Sequence, residues 1–294
     1  MIFEYIWLDG KNNLRMKIKR DDIITDWNYD GSSTFQRSVK NSEVILKPNR
    51  QYKSPFFENG EIVLCNIDIE NVDKIKDLEI QLGFEQEYYI CVIRDNTNDI
   101  NQKGEYCSVG KGFGREISDS HLKACIIAGI NIVGTNQEVG FGQWEYQIFG
   151  EGVKAIYDLI VSRYILQKTA EMYGYYISFD PKPFISQPSS GLHTNISSKK
   201  TREDISYINE IIYKISKKEP DSFLEFYGEG NEKRLTGIEE TSHYNNFTFG
   251  IGDRTASIRI PQKVFEEGKG YFEDRRPSAN ALPQSIIKYL LQFF

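Results

Sequence analysis

The chain has 294 residues, of which 39% are apolar and 13% aromatic, enough to form the packed core of one or two globular domains. Its 36 Lys and Arg against 42 Asp and Glu give a net charge of −6 without any basic block, which argues against a nucleic-acid partner. Acidic residues near the start and the lack of a long apolar run argue against a signal peptide and a membrane partner. We therefore expect a cytoplasmic protein.

The four cysteines are far apart and form no Cys-x-x-Cys pair. Neither a zinc knuckle nor a redox pair is indicated by that spacing. Four reduced thiols are expected.

Residues 1–72 are predicted to form a small β-rich unit. Segments rich in Ile, Val and Tyr are separated there by Gly and Asn turns, a pattern typical of short strands. Strands are predicted at residues 1–7, 43–47 and 62–69.

From residue 73 onward, strands are predicted to alternate with amphipathic helices. One helix is predicted over residues 151–173, where apolar side chains recur at helical spacing before Gly174. A second is predicted over residues 202–218, because isoleucines recur at helical spacing and Pro220 follows two lysines.

Two glutamates in the run of residues 83–89 indicate a metal site. Residues i and i+2 of a strand share a face, so Glu85 and Glu87 are predicted to direct their carboxylates into one cavity. Two adjacent anions require cations between them. A Glu-x-Glu pair alone is more often a solvated strand face, so this prediction depends on partners elsewhere in the chain.

Four further side chains complete the predicted metal site: Glu138, Glu145, His193 and Glu273. Five carboxylates and one imidazole suit Mg²⁺ or Mn²⁺ better than a thiolate-seeking metal. His193 has an alternative interpretation as a core histidine bonded to backbone. Its position in a Gly-Leu-His-Thr-Asn run, in a chain with three histidines, favours the ligand role.

Several blocks in a fixed order resemble glutamine synthetase of the eukaryote-like (type II) class. Besides the segments above, the resemblance includes residues 4–10, 27–34, 179–183, 234–237, 240–242, 254–261 and 271–280. These blocks cover nearly the whole chain, so the resemblance does not depend on one short motif.

The resemblance implies an α+β fold. A small N-terminal β-grasp domain, residues 1–72, would precede a catalytic α/β domain, residues 73–294, whose curved antiparallel sheet is flanked by helices. The implied activity is ATP-dependent ligation of ammonia to L-glutamate through a γ-glutamyl phosphate. The implied assembly is a ring-shaped homo-oligomer, a decamer of two pentamers, with a single pentamer as the alternative.

The resemblance also implies two divalent ions per site, Mg²⁺ or Mn²⁺. Glu85, Glu138 and Glu145 would hold the ion nearer glutamate. Glu87, His193 and Glu273 would hold the ion that bridges the ATP phosphates.

Other site residues follow from the same resemblance. Arg254 would contact the transferring phosphoryl group, Arg234 and Arg275 the glutamate carboxylates. Gly191 would lie beside glutamate. Asp30 would reach a neighbouring subunit to bind ammonium and take its proton. Glu240, on a flap, would shield the acyl phosphate and accept a proton from the tetrahedral adduct. The predicted ATP-binding residues are Glu145, Asn195, Ser197, Arg254, Arg259 and Tyr271.

A regular strand would put Arg254 and Arg259 on opposite faces, so both reach one site only across a bulge or bend.

The chain departs from the family pattern at residues 187–190, where Gln-Pro-Ser-Ser stands in place of the usual Trp-Asn-Gly. Proline lacks the N–H and the carboxamide of asparagine, so we expect glutamate to be held more weakly while ATP binding is ordinary. The segments at residues 70–81 and 95–105 are also short. Two alternatives stay open: a γ-glutamyl-amide ligase that uses another amine, and a non-catalytic ring-forming homologue.

Overall fold

The computed structural model describes residues 1–92, 103–219, 221–238 and 240–294. The strands in these residues are β1 (Ile2–Leu8), β2 (Leu14–Arg20), β3 (Trp27–Asp30), β4 (Glu43–Leu46), β5 (Pro48–Lys53), β6 (Gly60–Cys65), β7 (Gln81–Val92), β8 (Ile132–Gln137), β9 (Gln143–Glu151), β10 (Tyr175–Ser178), β11 (Leu192–Ser197), β12 (Phe249–Ile251), β13 (Ile258–Ile260) and β14 (Phe272–Asp274). The helices are α1 (Val72–Asp77), α2 (Arg115–Ala128), α3 (Gly152–Met172), α4 (Ile205–Ser216), α5 (Gln262–Glu267) and α6 (Pro283–Leu290).

The N-terminal part is a four-stranded sheet in the order β2-β1-β6-β5, with β1 parallel to β6, beside a two-stranded β3–β4 hairpin. Alternation along β1 explains its two buried faces. Phe3, Tyr5 and Trp7 belong to one core with residues of the hairpin. Ile6 faces the other way, into the main core.

The larger sheet has the order β12-β13-β14-β11-β7-β9-β8, and β10 also pairs with β7. Its pairs are antiparallel except β12 with β13. Along β7, Leu82, Phe84 and Tyr88 are fully buried, whereas Glu85 and Glu87 lie on the opposite, more open face. The predicted shared face of the two glutamates and the predicted α+β class are both confirmed.

Buried polar contacts join the small sheet to α3. Glu4 is fully buried and accepts hydrogen bonds from Tyr164 and Lys168 of α3. Tyr52 donates to Asp158 of the same helix at 2.9 Å. Since buried charges require partners, these contacts restrict how the small sheet can lie against the helix.

Element ends differ from the predictions for local reasons. The helix predicted at residues 151–173 is confirmed as α3. The one predicted at residues 202–218 begins later, at Ile205, because Asp204 caps it by accepting from the Ser206 N–H. The strand predicted at residues 62–69 ends at Cys65, since Asn66 adopts a positive φ of 55°. A six-residue helix, α1, occupies the short segment before β7.

One hydrophobic core includes residues from both sides of the predicted domain boundary, among them Ile62, Ile75 and Leu82. The division at residue 72 stays a prediction. Most of the shortened segment at residues 95–105 lies outside the described residues.

None of the helices in the described ranges has the length and apolar character needed to cross a bilayer. Cys65, Cys91, Cys107 and Cys125 are all free thiols, as expected.

A buried histidine on α2 should make stability depend on pH. His121 is fully buried beside the Ser162 carbonyl, and burial lowers the pKa of His121 to about 4. In the unfolded chain the His121 imidazole takes up a proton near pH 6.5, whereas in the folded chain it does so only near pH 4. The contribution of this difference to the free energy of unfolding is therefore complete above pH 6.5 and declines as pH falls towards 4.

We expect the free energy of unfolding to fall by about 3 kcal/mol more in the wild type than in a His121→Gln variant between pH 6.5 and 4. Urea unfolding of both proteins at a series of pH values measures the difference. Parallel curves over that range would contradict the assignment.

Candidate active site

Strand pairing brings the predicted metal ligands together. Glu85 on β7 lies directly opposite His193 on β11, and Glu87 lies directly opposite Glu145 on β9. Ligand atoms of Glu85, Glu145 and His193 all lie within 4.8 Å of one another. Glu85 and Glu145 belong to the set expected for the ion nearer glutamate, and His193 belongs to the other set. They meet in one group because the two sets occupy adjacent positions on one sheet face.

Glu273 and Glu138 border this group. A Glu273 oxygen lies 3.7 Å from His193 Nδ1, as does a Glu85 oxygen. Glu138 follows the last residue of β8, and its charge contributes to the raised pKa of Glu145. The six predicted ligands therefore converge on one region of the sheet.

The electrostatics of this region favour a cation. Burial, followed by repulsion from Glu85 and Glu87, raises the pKa of Glu145 to about 9. Burial, followed by repulsion from Glu87, raises the pKa of Glu138 to about 7. Burial, together with the Arg275 charge, lowers the pKa of His193 well below its usual value, so the imidazole is neutral. Crowded carboxylates and a neutral imidazole are donors that fit Mg²⁺ or Mn²⁺.

Arginines surround the same region. Glu273 accepts from Arg275 Nη1 at 2.5 Å and from Arg259 Nη1 at 3.2 Å. Arg234 is buried, with Nη2 3.2 Å from His193 Nε2. Arg254 lies in the turn before β13 and pairs with Glu240 at 2.8 Å, both being exposed. This turn is the bend needed for Arg254 and Arg259 to approach one site.

A cavity of about 380 Å³ adjoins Glu85 on the same sheet face. Asn195, Ser197 and Tyr271 line it, and all three were predicted to bind nucleotide. Arg202, which the sequence did not indicate, also lines it and donates to Ser197 Oγ at 3.0 Å. A cavity of this size suits a small-molecule ligand.

Comparisons with known proteins agree with this geometry. The family model described as "Glutamine synthetase, catalytic domain" matches residues 68–219. "Glutamine synthetase 1, mitochondrial" of Drosophila melanogaster is 39% identical over 98% of this chain and 82% of its own length. "Glutamine synthetase cytosolic isozyme 1-1" of Oryza sativa subsp. japonica is 38% identical over 99% of this chain and 93% of its own.

The chain belongs to the glutamine synthetase family. A solved structure, the cryoEM structure of Plasmodium falciparum glutamine synthetase, has a similar fold with a TM-score of 0.77. It is 16% identical, and the match covers 99% of this chain and 70% of that one. At this identity the likeness shows the fold alone.

Two residues that the family resemblance assigned to the site have clear local surroundings. Gly191 donates its N–H to Glu87 at 2.6 Å, and a Cβ there would lie 2.6 Å from an Arg234 nitrogen, so only glycine fits. Asp30 ends β3 in the N-terminal part of the chain, and its carboxylate accepts hydrogen bonds from the hydroxyl groups of Ser32 and Ser33 in its own turn. The Ser32 and Ser33 hydrogen bonds lower the pKa of Asp30 to about 2.

The loop that departs from the glutamine synthetase pattern is held by its own contacts. Gln187 is buried, and its Oε1 accepts from the Phe141 N–H at 2.9 Å. The Pro188 carbonyl accepts from Tyr89 at 2.7 Å. The Gln187 side chain is therefore hydrogen-bonded to the turn before β9. The expected weaker binding of glutamate stays a prediction.

Sequence reasoning missed the side-chain amides beside the glutamates. Gln143 and Gln147 lie two residues before and after Glu145 on β9, so the alternation used for Glu85 and Glu87 would have placed them on the same face. Asn136 lies opposite Glu145 on β8. No local pattern signals that pairing.

Proposed function

We propose that this protein catalyses the ATP-dependent ligation of ammonia to L-glutamate, giving L-glutamine. One observation carries the proposal: a group of two carboxylates and an imidazole, with Glu145 and His193 buried and Glu85 half-buried, adjoins a cavity of about 380 Å³ in a chain of the glutamine synthetase family. The substrates L-glutamate, ammonia and ATP follow from that family.

Two divalent ions, Mg²⁺ or Mn²⁺, would be held by the ligand sets expected from the sequence. When bound, they neutralise phosphate charge and polarise the phosphoryl oxygens. The buried, mutually repelling carboxylates support this role, because such groups are stabilised by cations.

The remaining side chains would position the substrates. A glutamate γ-carboxylate oxygen attacks the terminal phosphorus and ADP leaves; the ammonia nitrogen then displaces inorganic phosphate from the acyl carbon. Arg254 is proposed to contact the transferring phosphoryl group, and Arg234 and Arg275 the carboxylates of glutamate, because planar guanidinium donors suit both. Glu240, paired here with Arg254, is proposed to take a proton from the adduct.

Asp30 is proposed to bind ammonium in a neighbouring subunit's site. There Asp30 would also take the proton that ammonium loses on becoming the attacking ammonia. Its carboxylate accepts hydrogen bonds from Ser32 and Ser33, which favour the charged form that binds a cation. This role requires a homo-oligomeric ring, for which we propose two pentamers, with a single pentamer as the alternative.

A mixing experiment tests the shared site. Asp30→Ala and Glu85→Ala proteins should each be nearly inactive. Rings reassembled from equal amounts should regain about one quarter of wild-type activity, since about one site in four combines an intact Glu85 with a neighbour's intact Asp30. Mixing Glu85→Ala with Glu87→Ala is the control and should restore none, because both defects lie in the same subunit's part of the site. An active monomer in light scattering would refute the shared site.

A second candidate function is a γ-glutamyl-amide ligase that uses another amine. The altered loop at residues 187–190 favours it, because this loop stands where the family usually carries Trp-Asn-Gly beside glutamate. The charged ammonium site proposed for Asp30 favours ammonia instead.

An assay of the purified protein with ATP, glutamate and either ammonia, hydroxylamine or a panel of amines separates the functions. We expect ammonia to give glutamine, ADP and phosphate in equal amounts. A larger kcat/KM for another amine would support the second candidate. ATP binding without any γ-glutamyl product would refute both and indicate the non-catalytic homologue.

We also propose a cytoplasmic location. The relatives include cytosolic isozymes and one mitochondrial enzyme. The free thiols of this chain agree with a reducing compartment.

A further inference from the structure

Four of the predicted metal ligands, Glu85, Glu87, Glu138 and Glu145, each accept a hydrogen bond from a side-chain carboxamide. The four carboxamides belong to Asn136, Gln143, Gln147 and Asn195. Asn195 donates to Glu85 at 2.8 Å. Gln143 is within 3.5 Å of Glu87. Asn136 donates to Glu138, and Gln147 donates to Glu145.

Gln147 and Asn136 connect two of these glutamates. Gln147 Nε2 donates to Glu145 Oε1 and also to Asn136 Oδ1, the latter at 2.7 Å. Asn136 Nδ2 then donates to Glu138 Oε1 at 2.8 Å. Glu145 and Glu138, seven residues apart in the chain, are thereby held in one hydrogen-bonded chain.

The fold makes room for this chain at Gly134. Gly134 lies opposite Gln147 in the β8–β9 pair, and a Cβ there would lie 2.7 Å from Gln147 Oε1. Gln147 shares the face of Glu145 because the two are separated by one residue on β9. A larger residue at position 134 would therefore displace the Gln147 amide.

Carboxamides differ from arginines in what they do to a carboxylate. An amide donor orients the carboxylate but leaves its negative charge available to a cation, whereas Arg275 and Arg259 place positive charge on Glu273. Partners that orient ligands in this way are known to affect metal affinity.

We propose that Gln147 and Asn136 are positioning residues, which hold Glu145 and Glu138 in place for one of the two divalent ions. This rests on the two-ion site of the proposed function.

The test is Mn²⁺ binding to the full-length protein without nucleotide, measured from the free Mn²⁺ signal in electron paramagnetic resonance. Gln147→Met keeps the side-chain length and removes the amide. We expect one of the two ions to bind about ten-fold to a hundred-fold more weakly and the other to be unchanged. Asn136→Leu should weaken binding of the same ion, and Gly134→Ala should do so by displacing the Gln147 amide without replacing any carboxamide residue.

Gln262→Met is the matched control. Gln262 also donates an amide hydrogen bond to a glutamate, Glu266, at 2.9 Å, but on the exposed surface of α5. The Gln262→Met protein should bind Mn²⁺ as tightly as the wild type does. Thermal unfolding of every variant checks that the fold is retained. If Gln147→Met does not fold, Mn²⁺ binding by Asn136→Leu and Gly134→Ala tests the positioning role instead.

Two outcomes overturn the inference in distinguishable ways. If the wild type binds two ions and the folded variants bind them equally well, the positioning role is wrong and the proposed function stands. If the wild type binds no Mn²⁺, the two-ion site of the proposed function is itself wrong.

Discussion

Replacing Glu138 with glutamine is expected to lower kcat/KM for glutamine synthesis by about a thousand-fold. A metal ligand supports several kcal/mol of charge stabilisation in the transition state, and each 1.36 kcal/mol changes the rate about ten-fold. Glu273→Gln should have an effect of similar size. Steady-state kinetics at a series of Mg²⁺ concentrations measures both.

The same substitution should not destabilise the protein in the absence of metal. Glu138 is half-buried and is repelled by the Glu87 carboxylate, and a neutral amide of the same shape relieves that repulsion. We therefore expect thermal unfolding at or above the wild-type midpoint, which separates loss of chemistry from loss of fold. Glu266→Gln, an identical change on the exposed surface of α5, is the control and should leave both measurements unchanged. Near-normal synthesis by Glu138→Gln would refute the ligand role.

Replacing Asp274 with alanine is expected to lower the free energy of unfolding by about 3 to 5 kcal/mol, because it leaves a buried charge unpaired. Asp274 is fully buried and accepts from Arg276 Nη2 at 2.7 Å and Nε at 2.9 Å. It also accepts from the Tyr227 hydroxyl at 2.6 Å. Without Asp274, the buried Arg276 guanidinium keeps a 3.5 Å hydrogen bond to the Tyr227 hydroxyl and its aromatic neighbours, such as the Phe223 ring, but no carboxylate partner among the described residues.

Urea unfolding at a fixed protomer concentration measures this effect, since assembly also contributes to stability. Glu70→Ala removes one partner of an exposed ion pair, with Lys288 at 2.7 Å, and should cost less than about 1 kcal/mol. An Asp274→Leu, Arg276→Leu double variant should recover part of the loss, because no charge is left buried. Equal losses for Asp274→Ala and Glu70→Ala would show that the buried pair does not stabilise the fold.

Local pattern predicted one strand that carries the site, β7, and two helices that support the fold. The period of two along β7 was enough to place Glu85 and Glu87 on one face, and helical spacing was enough to predict α3 and most of α4. The predictions of β7 and α4 succeeded because each buries one side of itself and the sequence records which side, whereas α3 is buried around most of its circumference. The order of the motifs then indicated the family, which the relatives confirmed.

Non-local pairing decided the rest. The approach of His193 to Glu85 depends on the register of β11 against β7, more than a hundred residues away, and no short segment records that register. The same holds for Asn136, which reaches Glu138 and Gln147 only because β8 pairs with β9.

By itself, the sequence determined the charge balance, the shared strand face of Glu85 and Glu87, the helices α3 and α4, and the set of acidic residues available to bind metal. Only the tertiary structure decided which carboxylates are buried together, which arginines already pair with Glu273, and which amides orient the others. Periodicity is a property of neighbouring residues, whereas burial and pKa depend on every charge and side chain that the fold brings within a few ångströms.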